Sequence, residues 1–157
     1  MNTLITKEYE MTKEVLVTIC GLQNGPDADG EPIEMTTTGE YYYKNGKHYV
    51  LYEEVMEGES KTTKNRIKIA PGFLELTKNG VVNVHMLFEE NKKNITHYYT
   101  PYGSLMMGID TKKVCIEEEE NELKVAVDYA LDLNQEFAAD CDIKITIQSK
   151  GIKIFKL

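Results

Sequence analysis

The chain has 157 residues, a net charge of −8, ten Tyr and no Trp. A domain of this length buries roughly 70% of its unfolded surface, so it can form a core without disulfides. The acidic balance argues against general nucleic-acid binding, which needs clustered Lys and Arg to displace counterions, and against adhesion to anionic lipid. No apolar run reaches the roughly 18 residues of a membrane-spanning helix. The polar start, residues 1–12, has no apolar signal-peptide core. The odd number of cysteines, 3, reads as reduced thiols, so a cytoplasmic location is expected.

Period-two alternation runs along the chain. Val15, Val17 and Ile19 alternate in a first strand, followed by a turn-rich loop, Gly25 to Gly30. Ile33 to Lys44 is rich in Thr and Tyr, which suit a pleated surface. Asn45-Gly46 has the positive-φ chemistry of a type I′ hairpin and returns the chain as Lys47 to Met56. Glu57 to Ser60 turns into Lys61 to Ala70, and Pro71-Gly72 into Phe73 to Lys78. Asn79-Gly80 is read as a second I′ turn, returning as Val81 to Phe88. A charged tip, Glu89 to Lys93, precedes Asn94 to Thr100 and Ser104 to Thr111, with Pro101-Tyr102-Gly103 between them as a turn.

The alternation is cleanest near the end. Leu123, Val125, Val127, Tyr129, Leu131 and Leu133 step in phase, as on a strand with one buried face. Cys141, Ile143, Ile145 and Ile147 repeat the pattern after a short linker, which requires an antiparallel pair. Many short antiparallel strands hide their edges by closing into a barrel or stacking as a sandwich. The meander of tight hairpins favours a single all-β, antiparallel up-and-down barrel of about eight to ten strands. Residues 1–12 are expected as a flexible arm, 13–148 as the barrel, and 149–157 as an edge strand or tail.

The sequence resembles the YwiB-like family of small bacterial calycin-like β-barrel proteins. The resemblance rests on Thr38-Gly39-Glu40-Tyr41-Tyr42, Tyr52-Glu53-Glu54, Lys68 before a turn, and the Lys78-Asn79-Gly80 hairpin. It rests further on Tyr98-Tyr99-Thr100-Pro101-Tyr102-Gly103, on Thr111 and on the Tyr129 strand. It implies a barrel related in architecture to lipocalins and implies no reaction. Lys78 stands where members often carry Arg, which exchanges a forked donor for a point charge.

Few motifs carry chemistry. His48, His85 and His97 form no close pair, so a zinc-protease helix is absent, and His85 is expected on a solvent face. Cys141 shares the inward face of Ile143 and reads as a small core hydrophobe. Cys20 and Cys115 lack CxxC spacing or a neighbouring base. There is no phosphate loop. Asp27-Ala28-Asp29-Gly30 lacks calcium-loop spacing and reads as a solvated turn. Glu117 to Glu120 reads as a solvated hairpin tip or strand end. No catalytic residue, metal or cofactor is assigned.

The richer set is polar and aromatic. Neither face of Lys47 to Met56 is purely apolar, and a buried carboxylate must be paired. The leading expectation is therefore a barrel interior lined by Tyr, holding one small amphipathic or apolar ligand. Tyr42, Tyr52, Tyr98 and Tyr102 would line it, and Glu53, Glu54, Arg66 and Lys68 would orient its polar group. The alternative is a filled barrel acting as a homodimer or partner-binding module. An enzyme using a Glu or His acid/base is the third reading.

Overall fold

The computed structural model describes residues 11–21, 34–55, 61–80, 83–100 and 103–150. They form ten strands: β1 (Glu14–Cys20), β2 (Glu34–Lys44), β3 (Lys47–Val55), β4 (Thr62–Ala70), β5 (Phe73–Asn79), β6 (Val84–Glu89), β7 (Lys92–Thr100), β8 (Gly103–Glu119), β9 (Glu122–Leu133) and β10 (Glu136–Ser149). No helix occurs among the described residues. Strands adjacent in sequence pair antiparallel, except β6 and β7, and β1 pairs with β10. The result is an up-and-down meander wrapped into a nearly closed barrel. The remaining seam lies between β6 and β7, joined by one isolated bridge, Asn83 to Tyr99, and by the Asn94 side chain donating to the Leu87 carbonyl.

Alternation decides which face each residue takes. The inner face carries Val15, Val17 and Ile19 of β1, Ile67 and Ile69 of β4, Leu74 and Leu76 of β5, and Ile143, Ile145 and Ile147 of β10, all buried. Phe88 and Tyr129 meet edge-on in the same core, with ring centroids 5.0 Å apart. Charges such as Glu53 and Arg66 face outward. Apolar inside and charged outside is the reverse of a transmembrane barrel, and no described helix is long and apolar enough to cross a membrane.

Two turn readings meet different outcomes. Asn45 and Gly46 adopt φ of 54° and 77°, as a type I′ turn requires. Asn79-Gly80 does not form one, since neither residue has positive φ. Lys78 pairs with Val84, so the connection is longer and β6 starts later than expected. A side chain at residue 80 would lie 2.7 Å from the Thr62 carbonyl oxygen; this glycine serves a close approach.

Strand β8 also runs past its expected end at Thr111. A bulge between Thr111 and Lys113 resets the pleat, so Val114 and Ile116 face inward after it, as an extra residue allows. The predicted arm up to residue 10, the loop at residues 22–33, the turns at 56–60 and 101–102, and the tail from residue 151 lie outside the described residues.

Candidate functional site

Among the described residues the centre of the barrel is packed with apolar side chains, unlike the polar cavity that the mixed strand faces suggested. The void between Ile19, Ile67, Leu74, Phe88 and Ile143 measures about 10 Å³, the lower limit for a single water. Glu53, Arg66 and Lys68 lie on the outer face, which corrects the expectation that they line the interior. The reason is parity. Ile67 and Ile69 claim the inner face of β4, and burying an unpaired cation there would cost several kcal/mol.

Polar groups do enter the wall at one end. Tyr52 and Glu54 of β3, Asn65 of β4 and Lys78 of β5 face inward on adjoining strands. Lys78 Nζ donates to Glu54 Oε1 at 2.8 Å. Asn65 Nδ2 donates to the same oxygen at 3.1 Å and to the Thr63 carbonyl at 3.3 Å. These bonds fix the Asn65 amide, leaving its buried Oδ1 unpartnered, like the buried Tyr52 hydroxyl beside it. Burial pushes the Tyr52 hydroxyl well above the ordinary tyrosine range, and the Glu54 charge adds to this. Glu54 is thus the predicted carboxylate that is both inward and paired.

A larger space lies outside the barrel. β2 pairs with β3 only from Lys44 to Glu40. Residues Glu34 to Gly39 pair with β1 alone, so the sheet divides between β2 and β3. A groove of about 840 Å³ sits at this division, with Thr37, Thr38 and Gly39 on one side and Tyr52, Glu53 and Arg66 on the other. A Cβ on Gly39 would lie 2.7 Å from the Leu51 carbonyl oxygen, so glycine lets the strands meet where they part. The groove volume falls in the range of small-molecule sites, roughly 300–1,000 Å³.

The outer face continues from the groove onto an aromatic ledge. Tyr42 and Tyr49 are paired across β2 and β3 and stack with centroids 4.8 Å apart and planes 7° apart. Lys68 Nζ lies 5.8 Å from the Tyr49 ring centre and 5.9 Å from that of Phe73. The predicted residues Tyr42, Glu53, Arg66 and Lys68 therefore share one outer surface. Tyr52 and Glu54 lie on the inner side of the same wall. Tyr98 sits on β7, against the core from the opposite arc, and is not brought to the others. Tyr102 lies outside the described residues.

A further cluster was not legible in the sequence. At the other end of the barrel, Tyr41 OH and His48 Nδ1 are 2.8 Å apart, and His48 Nε2 lies 3.4 Å from Glu118 Oε2. Glu118 belongs to β8, which does not adjoin β3 in the sheet, so the pair clips across the barrel end. Burial lowers the His48 pKa, and Glu118 partly opposes this. With Nε2–H facing a carboxylate, the neutral ring accepts from Tyr41 at Nδ1. Tyr41 and His48 are 7% and 8% exposed, which leaves no room for a substrate.

The remaining candidates are ordinary. His85 is exposed and pairs with Glu75. Burial raises the Cys141 thiol pKa, against a hydrogen bond with Tyr129, which fits a core thiol rather than a nucleophile. All three cysteines are free. No group of His, Cys, Asp or Glu suited to a metal occurs among the described residues.

The comparisons agree with this barrel. The chain is similar to the uncharacterized beta-barrel protein YwiB of Bacillus subtilis (strain 168), with 27% identity over 110 residues, 70% of this chain and 76% of that protein. It is also similar to the crystal structure of ywiB protein from Bacillus subtilis, with a TM-score of 0.69 and 22% identity, covering 95% of this chain and 99% of that one. The structural likeness speaks for the fold alone. The family model described as Domain of unknown function (DUF1934) matches residues 17–145, and the chain belongs to that family.

Proposed function

We propose that the protein is a non-enzymatic binding module whose ligand occupies the outer groove at the β2–β3 division. The observation that carries this reading is the groove itself, about 840 Å³, where the space between the core residues Ile19, Ile67, Leu74, Phe88 and Ile143 is about 10 Å³. The ligand is small and polar rather than apolar, because Thr38, Glu53, Lys64 and Arg66 form much of the lining. Glu53 and Arg66 keep the orienting role expected of them, now on the outside. The three free thiols support a reducing cytoplasm as the place of action.

A fragment screen by thermal shift tests the proposal. Thr38 is exposed, so Thr38→Trp fills the groove without touching the core. Fragments that stabilise the native chain should lose their effect in this variant. Hits that stabilise both forms equally would refute a groove site.

A second reading, homodimer formation, has its own observation. The register aligns Ile95, Gly108, Asp132 and Phe137 across β7, β8, β9 and β10, and Ile95 and Phe137 are 60% and 65% exposed. Sedimentation of the native chain and Ile95→Glu would separate the readings. A dimer lost in the variant supports association through this face, and a monomer in both removes it.

A further inference from the structure

The chemistry of the groove narrows the ligand class, an inference that rests on the groove being the binding site. Its lining carries three cations, Lys64, Arg66 and Lys150, against three carboxylates, Glu14, Glu40 and Glu53. A site for phosphate or a nucleotide concentrates one sign of charge to attract its ligand. Here the signs cancel. Lys64, Glu40 and Glu53 form no ion pair among the described residues, so they are available as separate donors and acceptors. Thr38 and Thr77 add hydroxyls of both kinds.

A lining of acceptors, donors and amphoteric hydroxyls is matched by a ligand whose own groups both donate and accept. Hydroxyl groups do so without charge. On the adjoining ledge, Tyr49 lies between Tyr42 and Lys68, so the free apolar ring surface is the outer face of Tyr42, which is 42% exposed. Tyr49 and Leu51 alternate on the outer face of β3, so the ledge begins about 7 Å along the strand from the groove. Two adjoining patches of this kind suit an extended ligand with one hydroxyl-rich edge and one C–H face.

We infer that the groove and ledge together bind a neutral oligosaccharide, with hydroxyls in the groove and a sugar ring on the outer face of Tyr42. The test is a ¹⁵N shift titration of the full chain with maltohexaose, cellohexaose and chitohexaose, and with pyrophosphate as the anionic comparison. At least one oligosaccharide should give saturable shifts at Thr38, Leu51, Glu53 and Arg66, unchanged by added salt. Glu53→Ala and Tyr42→Ala should each weaken it about tenfold or more; Glu53 and Tyr42 are exposed, so their loss leaves the fold intact. Groove shifts with pyrophosphate and none with the sugars would overturn the ligand class and leave the groove as a site. No groove shifts with any probe, together with fragment hits indifferent to Thr38→Trp, would overturn both.

Discussion

At the scale of single residues, buried polar groups set the sensitivity of the fold. His48 is the clearest case. Burial holds its pKa below the ordinary value of 6.5, so in the folded state it resists taking up a proton. The unfolded chain protonates first as pH falls. The contribution of His48 is therefore fully present above pH 6.5 and is lost as pH falls toward and through its folded value. Urea unfolding should give a lower stability at pH 5.5 than at pH 7.5, and His48→Gln should flatten that difference. An equal pH slope in both proteins would show that other groups carry it. Glu118 lies seventy residues along the chain from His48, so this pairing left no mark on local pattern. Only the meander, by bringing β8 under the β2–β3 hairpin, makes it.

At the scale of elements, alternation located the strands because half-buried strands must alternate. The Leu123–Leu133 and Cys141–Ile147 runs make the β9–β10 pair legible in the sequence. What alternation left open on β3 was which mixed face turns inward. Leu51 and Val55 share a face with Glu53, and Val50 shares one with Glu54, so hydropathy alone does not choose. The neighbouring Ile67 and Ile69 settle it through register, since Val50 pairs with Ile67. That places Glu54 in the wall and Glu53 outside, although the sequence presents the two carboxylates as one group. The division between β2 and β3 depends on Gly39. Gly39→Ala should destabilise the chain by about 1–3 kcal/mol, measured by urea unfolding, because its methyl group meets the Leu51 carbonyl. A neutral effect would show that the strands can part further at no cost. The β6–β7 seam has few ladder bonds, so amides of β7 that face β6 should exchange with solvent faster than those in the β1–β10 ladder. Equal protection would mean that the barrel is fully closed.

At the scale of the whole molecule, an apolar core with polar groups at both ends and a charged exterior divide the labour. The interior holds the barrel together, and Phe88→Ala should cost about 3–5 kcal/mol, seen as a lowered urea midpoint. A smaller loss would mean that the core is looser than its central void of about 10 Å³ implies. Binding then falls to the outer wall, where the sheet divides. The most direct measurement is ¹⁵N shift mapping of the strongest fragment hit on the native chain. Shifts confined to Thr38, Leu51, Glu53, Arg66 and Thr77 are predicted. Shifts centred on Ile67, Leu74, Phe88 and Ile143, inside the barrel, would contradict an outer site.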